Sequence, residues 1–463
     1  MKLTSMSVAF IALCAATSFE ASAQSLRSAY FSDSYLYRHH INPAMSNEDD
    51  YFSIPFLGNL SLDFGTNEGI NTFIVPYNDK LVTFMHESVS ASSFLSGLSD
   101  NVKLQQSLDL TLFSLGLTGY NGYHTFEIGL HQQAGIQLPK DLLSFMKEMQ
   151  SDKVYNFSDM LVLGRAWADI SYGYTHKIGE NLRIGAKAKI LIGLALADAD
   201  IKHGTARFGE DEWQMQMEGQ FMMGGASGTK FSRDEEGLFD GIDEYKFGIA
   251  GYGGAFDLGF TYDMRDIVDG LKLSASVNDL GFINWSDCAN AYNNGEPFSF
   301  SGFNQFTLHN EDNHVDGSRT GSLSDQWDDI TEDLEKMYNL TVGKSKTEKQ
   351  WIAASVHVGA EYEIPSYKQL SFGLLLSHRF TEILEFNEAR LNVNFGPSSV
   401  FDMALSAAFN SYGTAMGAMV NLHLPGFSLF LGSDQIYIGK INKNFIPLDN
   451  GGMNVQFGIN IPL

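Results

Sequence analysis

Two neighbouring histidines, His39 and His40, are the first residues in this chain whose types can do chemistry, because imidazole pairs bind borderline transition metals. Successive side chains of an extended chain point apart, so the pair reads as an ordinary surface pair. The stretch DNHVDG sets Asp312, His314, Asp316 and Gly317 near a calcium-loop spacing. Its twelfth position is Leu323, where such a loop needs a bidentate glutamate, so a solvated loop is expected there. GYGGAF puts Phe256 where a dinucleotide-binding turn needs its last glycine, and reads instead as the opening of a strand. Ser377 and His378 are adjacent, hence on opposite faces of a strand, and make no nucleophile–base pair. HExxH, CxxC and GxSxG are absent. The expectation is a protein without catalysis, metal or cofactor.

Charges in strand-like segments say more. Arg183, Lys187 and Lys189 share one face of a strand, and Asp257 and Asp263 share a face of another. If those faces line an enclosed lumen, the charges should pair across it and rigidify it.

The elements that must position them follow a period of two. The chain ends in GGMNVQFGINIPL, with Met453, Val455, Phe457, Ile459, Ile461 and Leu463 on one side and Asn454, Gln456, Gly458 and Asn460 on the other. Similar alternation occupies residues 52–64, 182–192, 213–221 and 256–263, and recurs almost without pause from 350 to 463. Tight links such as HKIGEN, GPSS, SYG and Pro425-Gly426 imply antiparallel neighbours. Longer excursions fall at about residues 76–105, 134–160, 224–247 and 281–352. Two carry helical patterns: Leu142, Phe145, Met146 and Met149 after Pro139, and an acidic helix over 324–337 with Trp327 on its apolar stripe.

Residues 1–23 read as a secretory signal peptide: Lys2, an apolar run, and a small-x-small site at Ala21-Ser22-Ala23. Leu13 before Cys14 argues against lipidation, and removal of the signal leaves only Cys288, so no internal disulfide forms. Charged residues are 18% and aromatic residues 13%, with 35 Phe, a composition poorer in charge than the roughly 25% of soluble domains. A formal charge of −25 repels phosphate backbones and excludes nucleic acid as a partner.

An alternating strand needs either a protein core or lipid against its oily side. Soluble sandwiches of this length would need several domains, yet no linker interrupts 350–463. The polar faces carry Asn, Gln, Ser, Gly and Thr rather than Lys–Glu pairs, as a lumen would. In hydrocarbon such strands must close on themselves, because every backbone donor needs a partner. The fold class expected is therefore all-β: a single antiparallel transmembrane β-barrel of about 14 strands (roughly 12 to 16) over residues 51–463, with short helices in long loops. In that arrangement Phe457 meets lipid and resists a lysine, whereas Gln456 faces inward and tolerates one.

Gln456, Gly458, Ile461 and Leu463 resemble the C-terminal signal read by the barrel-assembly machinery of outer membranes, with Leu463 in place of the usual final aromatic. The segment 24–64, with Asn42-Pro43-Ala44 followed by Pro55-Phe56-Leu57-Gly58-Asn59, resembles the start of a family of outer-membrane barrels of unknown function in the Bacteroidota. GYGGAFDLGFTY and SVNDLGFINW look like strands of the wider FadL-like group, which includes the PorV and PorP/SprF secretion-associated barrels. The resemblance implies an outer-membrane location and an N-terminal segment, residues 24–50, that either enters the barrel as a plug with Asn42, Pro43 and Ala44 as its turn, or stays a periplasmic tail. It implies two functions: a channel for hydrophobic or amphipathic small molecules, or a scaffold for a secretion or surface-assembly protein. An open lumen with a lateral gap points to the first, a filled lumen with an apolar loop patch to the second.

Overall fold

The computed structural model describes residues 25–46, 49–78, 80–210, 212–235, 237–300, 340–436 and 452–463. The signal-like segment and the acidic 324–337 stretch lie outside them. The strands are β1 (Tyr51–Ser53), β2 (Asn59–Thr66), β3 (Ile74–Tyr77), β4 (Lys80–Thr83), β5 (Asn101–Gly119), β6 (Gly122–Pro139), β7 (Val154–Asn156), β8 (Met160–Ile178), β9 (Leu182–Phe208) and β10 (Trp213–Gly224). They continue with β11 (Lys230–Arg233), β12 (Phe239–Glu244), β13 (Gly251–Asp263), β14 (Leu271–Phe300), β15 (Thr341–Val342), β16 (Lys346–Trp351) and β17 (Ser355–Glu363). The last six are β18 (Leu370–Arg379), β19 (Phe386–Phe395), β20 (Phe401–Asn410), β21 (Gly413–Leu424), β22 (Phe427–Ile436) and β23 (Gly452–Pro462). Among the described residues α-helices are confined to α1 (Ile70–Phe73), α2 (Ala91–Ser96) and α3 (Lys140–Lys147), and no helix there is long and apolar enough to cross a membrane.

The wall closes. Neighbours pair antiparallel from β5 through β23, and β23 pairs with β1 and β2, which pair in turn with β5. Four wall positions are composite: β1 with β2, β7 with β8 beside β9, β13 with β10 end to end between β9 and β14, and β17 with β16 and β15 beside β14. The result is a fourteen-stranded closed antiparallel barrel. Closure removes every edge that lipid would leave unsatisfied.

Burial follows the alternation. On β19, Glu388, Arg390, Asn392 and Asn394 are buried while Leu391 is 61% exposed. On β23, Asn454, Gln456 and Asn460 are inside and Met453 and Val455 outside. Such a chain hides its amides and exposes its oil, the reverse of a soluble sheet.

The wall is uneven. Strands β18 to β20 have ten residues each, about 33 Å along the strand at 3.3 Å per residue, which matches a tilted crossing of a bilayer. By contrast β9 has 27 residues and β14 has 30, about 90 to 100 Å at the same rise. Hence the excursion expected at 281–352 starts later than the sequence pattern implied, because β14 continues to Phe300. One side of the barrel therefore rises far above the other. Short turns cluster at the opposite end, such as Tyr120-Asn121, where both residues take the left-handed conformation of a tight hairpin.

Candidate functional site

Residues 25–46 run inside the barrel. Two 3-10 turns, Arg27–Ala29 and Leu36–His40, shorten the segment, and Leu26, Tyr30, Tyr35 and Tyr37 are wholly buried. Wall and segment satisfy each other's polar groups. Asp434 accepts from the backbone N–H groups of Arg27 and Ser28 at 2.8 and 2.7 Å, a carboxylate at the positive end of the first turn. Tyr35 Oη accepts from Gln456 at 2.7 Å, and Tyr37 Oη donates to Asn460 at 2.7 Å. Ser276 and Asn278 donate to the Ile41 carbonyl, and Thr175 to that of Pro43.

The Asn42-Pro43-Ala44 turn is closed by Asn42 Oδ1, which accepts from the Ala44 N–H at 2.9 Å, while Asn42 Nδ2 donates to Tyr30 Oη. This turn lies against two wall glycines. A β-carbon on Gly185 would run into the Pro43 carbonyl, and one on Gly259 into Asn42 Oδ1, so only glycine permits the approach.

Above the turn lies a charged layer in which Glu388 accepts from both Arg27 and Arg390 at 2.8 Å, with all four side-chain partners, Asp434 included, almost fully buried. Higher still the lumen becomes apolar. Leu163, Trp167, Leu191, Trp285, Ile352 and Phe386 pack with Ile383 and Leu384 from the β18–β19 loop. That loop folds inward across the lumen, leaving the Ile383 Cδ1 methyl 2.6 Å from where a Gly135 side chain would begin. The lumen is filled.

Two cavities flank the filling. A vestibule of about 890 Å³ at the short-turn end is lined by Arg38, Arg183, Asp263, Lys272, Glu361 and Asp402, among others. A notch of about 250 Å³ sits where β16 breaks from β17 and β18 ends. It joins lipid-side Leu280, Trp351 and Phe380, each more than half exposed, to buried Arg165 and Ile352. Arg165 closes its inner side by donating to the Trp351 carbonyl at 3.0 Å and to Glu382 at 3.2 Å.

The charges singled out in the sequence pair along the wall rather than across the lumen. Lys187 binds Glu127 at 2.5 Å, and Lys189 binds Asp257 at 2.9 Å and Asp279 at 2.6 Å. Asp257 directly opposes Lys187 in the β9–β13 register, so the ladder itself brings these charges together. Arg183 and Asp263 face the vestibule, where Asp263 holds Arg265. Gly458 lies inside beside the Gly58 carbonyl; Ile461 is half-buried, and Leu463 is exposed with its N–H donating to Asp50. Gln456 is wholly buried and also donates to Asn59, so the expected tolerance of a lysine there does not hold: its ammonium would be desolvated beneath Tyr35.

His39 and His40 depart furthest from expectation. They sit on a 3-10 turn, not extended chain, and both imidazoles converge on Glu127 Oε1, at 3.1 and 2.8 Å. Burial pushes His39 down to about 4, with Glu127 opposing the shift. Glu127 escaped the sequence reading; its signal is a single acid in the apolar strand TFEIGL, at an inward position.

Residues 43–434 match a family of unknown function, DUF5723. None of the curated proteins matches. Solved structures similar in outline include the Ralstonia pickettii toluene transporter TbuX (TM-score 0.37, 10% identity, covering 91% of each chain). A Pseudomonas aeruginosa FadL homologue gives TM-score 0.38 and 10% identity over 91% of this chain and 92% of that one. The translocator domain of the autotransporter NalP from Neisseria meningitidis gives 0.31 and 8%, covering 90% of each.

Proposed function

The chain belongs to DUF5723, a family of unknown function, and from its own geometry we propose a non-catalytic outer-membrane barrel that passes hydrophobic or amphipathic small molecules, in the manner of FadL-like channels. The N-terminal signal exports it, and the C-terminal residues Gln456, Gly458, Ile461 and Leu463 present it to the assembly machinery. Asn42, Pro43 and Ala44 seat a plug. The observation that carries the reading is the notch at the β16–β17 break: it is a small recess whose rim is lipid-facing and whose floor is Ile352 of the lumen's apolar layer, with Arg165 drawn across it. A polar pore has no use for such a layer, whereas an oily solute crossing from vestibule to bilayer needs it.

In this reading the loop 380–385 is the gate, because Ile383 and Leu384 occupy the space a ligand would take. The test pairs Gly135→Cys with Ile383→Cys and follows uptake of a fluorescent apolar probe into liposomes holding the barrel. Oxidation should stop uptake and reduction restore it. Equal uptake by locked and unlocked barrels contradicts the gate.

A second reading, a scaffold for a secretion or surface-assembly protein, draws on the two features expected of one: the filled lumen, which the channel reading takes as a closed gate, and an apolar patch where the 225–250 insertion rejoins the wall. Tyr245, Phe247 and Ile249 are exposed there, Phe247 by 79%. Under it, Phe247→Asp abolishes co-purification of a partner while probe uptake persists.

A further inference from the structure

The passage proposed above makes no use of the cluster that ties the N-terminal segment to β6. His39 Nε2, His40 Nε2 and a Glu127 carboxylate oxygen lie within 4.8 Å of one another. The two histidines come from the segment and the glutamate from the wall, so anything held among them fastens one to the other.

The hydrogen-bonding of His39 is the informative feature. Its Nδ1 lies 2.9 Å from the Leu36 carbonyl and its Nε2 3.1 Å from Glu127 Oε1. Both partners only accept. A neutral imidazole has one N–H for these two acceptors, so either tautomer leaves one ring nitrogen facing an oxygen lone pair. The same Oε1 is also reached by His40 Nε2 at 2.8 Å, while Lys187 Nζ, 2.5 Å away, is bound to the other oxygen, Oε2. Two imidazole nitrogens of the segment thus aim at one carboxylate oxygen of the wall, and a single cation among the three satisfies all of them.

We propose that His39 Nε2, His40 Nε2 and Glu127 Oε1 bind one divalent transition metal of the zinc class, and that this ion staples the N-terminal segment to the barrel wall. Separations of 3.1 and 2.8 Å between the ring nitrogens and the oxygen are a few tenths of an ångström below the edge of a tetrahedron with bonds of about 2.0 to 2.1 Å, so a small adjustment admits the ion. The Nδ1–H to Leu36 contact is the outer-shell bond that commonly fixes a metal-binding histidine in the correct tautomer. Ser114 Oγ, 3.0 Å from Oε1, supports the carboxylate from the wall side. Two imidazoles and one carboxylate suit zinc, cobalt, nickel or copper; calcium and magnesium require an oxygen-rich shell that these residues do not offer. Lys187 adds positive charge nearby, but the carboxylate stands between it and the ion, so the glutamate serves both.

Cobalt(II) is the probe. The full chain, purified in detergent and stripped with chelator, should take up one Co²⁺ with the strong visible absorption of a four-coordinate site. His40→Ala removes a partly exposed ligand and leaves the Lys187–Glu127 pair in place, so the barrel should fold, as its heat-dependent gel mobility checks. It should weaken Co²⁺ binding by about tenfold or more, the loss typical when a metal site is damaged. Glu127→Gln should do the same, while His124→Ala, outside the cluster, should not. Chelation should expose residues 25–46 to protease in the wild type and change nothing further in His40→Ala. Absence of stoichiometric binding, binding without the four-coordinate spectrum, or binding undiminished in His40→Ala would each overturn the proposal; the first would leave a buried imidazolium as the cation.

Discussion

The short wall of β18 to β23 and the tall wall of β9, β10 and β14 use the same alternation against different solvents. On the short wall the apolar face is bare: Leu376, Leu391, Leu405, Phe409 and Leu431 are all exposed by 48% or more. On the tall wall, beyond the level of Gly193 and Gly224, the corresponding face is covered by the protein itself. Phe221, Met223, Ala289 and Ala291 lie under Phe231 and Phe239 of the β11–β12 hairpin. Met215 and Phe208 pack with Phe145 of α3 and with Phe157. A sheet that leaves the bilayer must bring its own cover, because water replaces lipid as the neighbour. The inner faces differ in the same way. Below, ion pairs are sealed under the N-terminal segment; above, Arg207 and Asp152 pair in the open at 46% and 60% exposure.

This contrast can be broken most sharply at its charges. Glu388→Ala leaves Asp434 as the one carboxylate against Arg27 and Arg390 in the sealed layer and should cost about 3 to 5 kcal/mol, against about 0 to 1 for Asp152→Ala. Urea unfolding in detergent micelles measures both, and equal losses would mean that the lower lumen is wet. Next in size is the outer face: Phe457→Lys should cost about 2 to 4 kcal/mol if it lies near the midplane. Gln456→Lys should also be destabilising in the intact chain, yet tolerated once residues 25–46 are deleted, because deletion returns water to that position. Tolerance without the deletion would show that Tyr35 does not cover it. Smallest globally is Phe231→Ala, which should free the β11–β12 hairpin to protease while leaving the unfolding free energy of the barrel within about 0.5 kcal/mol.

Much of this was legible beforehand, for a physical reason. Where one face meets oil and the other a lumen, alternation is enforced at every residue, so the strands from 350 to 463 could be read directly. Where both faces meet water or a partner, the constraint relaxes. The second half of β14, SDCANAYNNGEPFSF, carries no clean alternation, so its sequence reads as a loop. WQMQMEGQF alternates cleanly yet belongs to the tall wall, because the β11–β12 hairpin and α3 replace lipid there. The interior was harder still. Arg27 meets Glu388 across 361 positions and Tyr35 meets Gln456 across 421, contacts no local pattern encodes. His39 and His40 diverge only on an extended backbone, and the turn Leu36–His40 replaces it.

The central claim is that the N-terminal segment fills a lumen whose outer wall is dissolved in hydrocarbon. Nitroxide labels on Phe457→Cys and on Tyr37→Cys, compared in bilayers for collision with oxygen and with a water-soluble relaxant, test both halves at once. The account predicts that the label at 457 collides freely with oxygen and little with the relaxant, and that the label at 37 is shielded from both. A label at 457 reached by the relaxant, or one at 37 as mobile and accessible as a free tail, would contradict it.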